Sequence, residues 1–136
     1  MTKKIVLMAF VVTATLQGVS AQDLKKGEVP EIVQKAFAKA YPKITDVDWE
    51  KEGDDYEAAF EDSKEEFSVV IDAKGNILEV EKEIKKEDLP AAVKTAVAGK
   101  KIKEAAILTK NGQTFYEVEM GGKDLFFNTQ GKPVSL

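Results

Sequence analysis

The sequence predicts an α+β protein: a tandem repeat of one helix plus a four-stranded antiparallel sheet, with the helices packed on one face of the sheets. Three observations predict it. Two segments sixty positions apart, Glu28-Val29-Pro30-Glu31-Ile32-Val33 and Asp88-Leu89-Pro90-Ala91-Ala92-Val93, open alike. Each leads into apolar residues at helical spacing. Each helix is then followed by stretches alternating apolar and polar residues, divided by Gly, Asn and Asp turns.

In the first half, Val29, Ile32, Val33, Ala36, Phe37, Ala40 and Tyr41 fall at i, i+3, i+4, i+7. Pro30 sits in the first helical turn, where a missing N–H costs nothing, and Pro42 ends the helix. Val47 and Trp49 then alternate with Asp46, Asp48 and Glu50, before a turn at Glu52-Gly53-Asp54-Asp55. Tyr56, Ala58 and Phe60 mark a second strand, and Phe67, Val69 and Ile71 a third. Asp72-Ala73-Lys74-Gly75-Asn76 is a tight hairpin with Gly75 at the positive-φ position, and Leu78 and Val80 mark a fourth strand. Trp49, Tyr56, Phe60, Phe37 and Tyr41 form the expected core.

The second half follows the same order. Leu89, Ala92, Val93, Ala96 and Val97 build a helix stopped by Gly99. Ile102–Thr109 is a strand, Asn111-Gly112 a hairpin turn, and Phe115–Met120 the next strand. Gly121-Gly122, Leu125–Asn128, a turn at 129–132 and a short edge strand at Pro133–Leu136 complete it. Residues 22–27 read as an N-terminal linker, 28–86 as the first half and 87–136 as the second, joined at 82–87. Neither half buries enough surface alone, so the two are expected to share or abut their sheets.

Residues 1–21 read as a signal peptide. Lys3 and Lys4 form the positive start, and Ile5–Leu16 is an apolar run broken by Thr13 and Thr15. Val19-Ser20-Ala21 is a small-residue cleavage site, placing the cut between Ala21 and Gln22. The run is shorter than the roughly 20 residues of a spanning helix, so a membrane anchor is disfavoured. The expected location is the periplasm or the extracellular medium, with no membrane association after cleavage.

Composition narrows the chemistry. The 136 residues include no Cys and no His, and all 20 basic residues are Lys. Disulfides, thiol nucleophiles, imidazole bases and thiolate or imidazole metal sites are thereby excluded. The net charge is −4, and loss of Lys3 and Lys4 leaves 18 Lys against 24 acids. Such a surface argues against nucleic acid as a partner. The charge is uneven: residues 28–86 hold 17 acids and 9 Lys, residues 87–136 hold 6 acids and 7 Lys.

Val29-Pro30, Val33, Tyr41-Pro42, Ile44, Val47, Trp49, Tyr56, Phe60, Val69-Val70-Ile71-Asp72 and Gly75-Asn76-Ile77 resemble the PepSY-like, β-lactamase-inhibitor-like family of exported bacterial proteins. Leu89-Pro90, Val93, Ile102, Tyr116 and Gly131 repeat the resemblance, which spans residues 28–136. It implies a tandem fold of helix plus antiparallel sheet whose best understood relatives bind other proteins.

No Ser lies in a Gly-x-Ser-x-Gly elbow, and the carboxylates alternate with core residues along strands expected to be solvated, which leaves their pKa unshifted. An enzyme is not expected, nor a cofactor. Asp48-Trp49-Glu50-Lys51-Glu52-Gly53 resembles the opening of a calcium loop, but position twelve is Ala59, where a bidentate Glu is needed. The stretch leaves room for weak calcium binding and no more.

Period 2 places Asp46, Asp48 and Glu50 opposite Val47 and Trp49, and Glu57, Glu61, Glu79 and Glu81 opposite Tyr56, Phe60, Leu78 and Val80. Seven carboxylates therefore gather on one exposed sheet face. They either dock a cationic protein or peptide of the cell envelope or form a solvated face whose like charges prevent sheet stacking. Phe115 and Phe126, out of phase with Tyr116, Val118 and Met120 and with Leu125 and Phe127, are the candidate apolar anchors, unless they are buried at the seam between halves. Phe126 and Phe127 are not distinguished by pattern. The expected function is a non-catalytic exported binding module using the open sheet face. The alternative is a periplasmic cation-binding or sensing protein using the acidic half.

Overall fold

The computed structural model describes residues 22–136; the segment read as a signal peptide, residues 1–21, lies outside the described residues. The elements are β1 (Gln22–Leu24), a 3-10 turn (Lys26–Glu28), α1 (Glu31–Ala40), β2 (Asp48–Glu52), β3 (Asp55–Asp62), β4 (Glu65–Ile71) and β5 (Ile77–Ile84). There follow a 3-10 turn (Lys86–Asp88), α2 (Ala91–Ala96), β6 (Glu104–Lys110), β7 (Gln113–Met120), β8 (Lys123–Asn128) and β9 (Pro133–Val134).

This corrects the expected fold class. Among the described residues the strands run in the order β1 to β9 in one nine-stranded antiparallel sheet, with two short α-helices, of ten and six residues. It is not a repeat of a helix plus a four-stranded sheet. The physical reason is strand continuity: β5 does not stop at Glu81 but extends to Ile84, through the segment read as a joint. The segment read as a linker contributes a further strand, β1, paired with β2 through Leu24 and Trp49. By compactness the chain divides into two units, residues 1–80 and 81–136, and the division falls within β5.

In the first unit, Pro30 stands just before α1 rather than inside it, and its carbonyl accepts the N–H of Val33 at 3.0 Å and of Gln34 at 3.1 Å. The apolar stripe of α1, Val33 and Phe37, packs with Trp49, Ala58, Phe60, Val69 and Ile71. Tyr41, Tyr56 and Phe67 lie half-buried at its margin. Phe60 is the hub: its ring lies 5.2 Å from Phe37, 4.8 Å from Tyr41 and 5.4 Å from Phe67.

In the second unit, α2 presents Val93 to Ala105, Val118, Met120 and Phe127, with Leu89 and Val97 flanking. Asn128 organises the turn before β9: its Oδ1 accepts the backbone N–H of Gln130 and of Lys132, both at 3.0 Å. Gly131 holds φ 76° in that turn, and a Cβ there would fall within 2.6 Å of the Ala92 carbonyl carbon. Gly131→Ala is therefore expected to lower stability by about 2 kcal/mol, from left-handed strain plus displacement of the turn from α2. Gly112→Ala is the control in a thermal melt. Gly112 also has positive φ, yet a Cβ there meets nothing within 4 Å. Equal losses in the two variants would dismiss the contact with α2.

Candidate functional site

Direct partners across an antiparallel pair share a face, so strand register defines the surface turned away from α1. One row on it is Asp23, Glu50, Glu57 and Val70. Beside it run Asp48, Ala59 and Ser68, and farther along Glu61 lies opposite Glu66. Glu52 faces Asp55 at the other end. Lys51, by contrast, is turned to the helix side, its ammonium 4.2 Å from the ring of its partner Tyr56.

The expected carboxylates are placed as follows. Asp48 and Glu61 are exposed, and Glu50 and Glu79 are half-buried. Asp46 is exposed but precedes β2, so it belongs to the lead-in segment and not to the strand face. Glu57 and Glu81 are corrections: they are only 3% and 6% exposed, not solvated. For Glu57 the cause is its position on β3, between Glu50 and Val70. Its face-mates Ala59 and Val70 are likewise buried. Water reaches the margin of this face and not its centre.

Electrostatics follow burial. The Glu57 carboxyl is pushed up to about 7, chiefly by burial; the Ser68 hydroxyl hydrogen-bonded to it works in the opposite direction, and Glu52, Glu50 and Glu79 add repulsion. Burial also raises Glu50, with Asp23 and Asp48 adding to it, and raises Glu52 and Asp55, again with acidic neighbours contributing. The expectation that these carboxylates keep ordinary pKa values is thus corrected. Among the described residues, no group of three or more Asp or Glu is arranged to hold a metal ion. Asp48, Glu50 and Glu52 project from alternate positions of one strand, roughly 6–7 Å apart along it, whereas a calcium loop curls its ligands around one point.

In the second unit, the face turned from α2 carries Leu108, Phe115 and Asn128 in one row and Ala106, Glu117, Phe126 and Val134 in the next. Leu108, Ala106 and Glu117 are buried, while Phe115, Phe126 and Val134 are half-buried. Phe115 thus lies on the face turned from α2, half-buried and paired with the fully buried Leu108. The structure also separates two residues that pattern left equal: Phe127 enters the core and Phe126 takes the open face. Glu117 was missed by sequence reasoning, and its phase, shared with Phe115, was the available signal. A third row holds Glu104, Glu119 and Asp124. Lys103 Nζ donates to Glu119 Oε1 at 3.0 Å and lies 3.8 Å from Glu104.

These helix-covered antiparallel strands match solved structures of Bacteroides proteins in fold. One, from Bacteroides eggerthii, is described as "putative periplasmic proteins". It is 18% identical, with TM-score 0.71, over 78% of this chain and 86% of that one. A DUF2874 family protein from Bacteroides ovatus is 21% identical, with TM-score 0.70, over 77% and 84%. A BLIP-like protein from Bacteroides fragilis is 28% identical, with TM-score 0.62, over 77% and 82%. The family model described as "Putative beta-lactamase-inhibitor-like, PepSY-like" matches residues 17–79 and again 54–133, and the chain belongs to that family. A search of curated proteins finds no match. Among the described residues, no helix is long and apolar enough to cross a membrane.

Proposed function

We propose that this chain is a non-catalytic exported binding module that docks a cationic protein or peptide of the cell envelope on the sheet face turned from its helices. The observation that carries the reading is the row Asp23, Glu50 and Glu57, with Asp48 and Glu61 open to water at its margin. The Glu50 and Glu57 carboxyls, held above their usual range by burial and acidic neighbours, gain from an approaching Lys or Arg, which returns them to the charged state. In the second unit, Phe115 and Phe126 supply half-exposed apolar side chains suited to anchoring a partner. Membership of an inhibitor-like family supports binding over catalysis, and the periplasmic description of a fold neighbour supports export.

Capture from a cell-envelope extract tests this. The wild type is expected to retain a basic protein at low salt and release it as ionic strength rises. The variant Asp48→Asn/Glu50→Gln/Glu61→Gln is expected to lose that capture, with thermal stability retained or raised. Phe115→Ala/Phe126→Ala is expected to weaken it at every salt concentration. Capture of the same proteins by wild type and the charge-neutralised variant would refute the acidic face as the docking site.

A further inference from the structure

On the helix side of the first unit, away from the acidic row, a cavity of about 330 Å³ opens between α1 and the segment leading into β2. That volume lies at the lower end of the range for small-molecule sites, roughly 300–1,000 Å³. Its apolar wall includes Phe37, Val47 and Trp49, and its lining also holds Lys26, Glu31 and Lys35. Phe37 and Trp49 meet edge to face, ring centroids 5.4 Å apart at 72°. Both rings are largely enclosed by the core, at 4% and 6% exposure, so the apolar surface open to an occupant comes chiefly from Ala38, Ile44 and Val47.

The charge of the lining is opposite to that of the protein. Two Lys face one Glu here, in a chain of net charge −4. Lys35 is matched by Glu31 at 2.6 Å, so Lys26 supplies the net positive charge of the lining. The turn that carries Lys26 is tied down in advance. Gln34 Nε2 donates to the carbonyls of Lys26, at 2.9 Å, and Val29, at 2.8 Å; the Lys25 N–H donates to Glu28 Oε2 at 2.7 Å. A neutral apolar occupant would take water from Lys26 and return no counter-charge. An occupant with one anionic group returns it.

We infer that this cavity binds a small apolar molecule bearing one anionic group, with its apolar part against Ala38, Ile44 and Val47, next to the edge of Trp49, and its charge toward Lys26. Such a site is separate from the protein-docking face and does not depend on it.

The chain has one Trp, so Trp49 emission reports on the cavity directly. The probe is 1-anilinonaphthalene-8-sulfonate, and its control is N-phenyl-1-naphthylamine, the same ring system without the sulfonate. The sulfonate is expected to quench Trp49 saturably at one equivalent. Ala38→Phe, at an exposed helix position lining the cavity, is expected to weaken both probes at least tenfold while the melting temperature holds. Lys26→Glu, in the exposed turn, is expected to weaken the sulfonate about fivefold and leave the neutral probe unchanged. Binding of several equivalents, or binding indifferent to Ala38→Phe, would overturn the site. Equal weakening of both probes by Lys26→Glu would overturn the anionic specificity.

Discussion

Phe60→Ala is expected to lower the unfolding free energy by about 3–5 kcal/mol, the range for deleting a fully enclosed aromatic side chain. Phe60 is 1% exposed and holds three rings at once: Phe37 from α1, Tyr41 from the helix exit and Phe67 stacked across the strand pair. Its removal leaves a void that α1 cannot refill. Val33 and Phe37 are tied to Trp49, Val69 and Ile71 in the same cluster. Urea denaturation followed by Trp49 fluorescence measures the loss. Trp49→Ala, at 6% exposure with its ring 5.4 Å from Phe37, also belongs in that range, toward its lower end, and is followed by circular dichroism. A loss below about 1 kcal/mol for Phe60→Ala would contradict an aromatic core centred on β3.

Stability is expected to fall as pH rises from about 4.5 to 7. Glu57 titrates near 4.5 in the unfolded chain and near 7 when folded. The folded state therefore binds more protons over that window, and by linkage the unfolding free energy declines with pH across it. The stabilisation is fully present below 4.5, where both states are protonated, and is lost by the time pH passes the folded value. A displacement from 4.5 to about 7 corresponds to about 3 kcal/mol. Glu50, Glu52 and Asp55 are raised in the same direction and steepen the decline. Asp72 acts oppositely. Hydrogen bonds from Asn76 lower its pKa, so its contribution disappears only as pH falls below the carboxylate range. Glu57→Gln keeps a neutral side chain of the same size and is expected to flatten the pH profile and stabilise the protein at pH 7. Melting temperatures of both proteins across this window decide the matter; parallel profiles would remove Glu57 as the cause.

Much of the local architecture was legible. The sides taken by Tyr56, Phe60, Tyr116, Val118 and Met120 follow from period 2 alone, since neighbouring residues on a strand must point oppositely. The turn at 72–76 was readable because Asp72 and Asn76 can accept and donate within four residues, and Gly75 accepts φ 87°. The turn at Ser63 and Lys64 was not. Both have positive φ without being Gly, and the pairing of β3 with β4 imposes that conformation. Strand β1 was also invisible, because three residues that include Gln22 and Asp23 have no pattern until β2 is beside them.

The candidate site divides the same way. That Asp48, Glu50, Glu57 and Glu61 share a face was set by alternation, a property of the covalent chain, as was the opposite phase of Phe115 and Tyr116. That Glu57 is closed off and titrates near neutrality, that Phe127 and not Phe126 enters the core, and that all nine strands belong to one sheet was decided only by tertiary structure. Phase along a strand is a local quantity, whereas access to water depends on which side chains the neighbouring strands bring alongside.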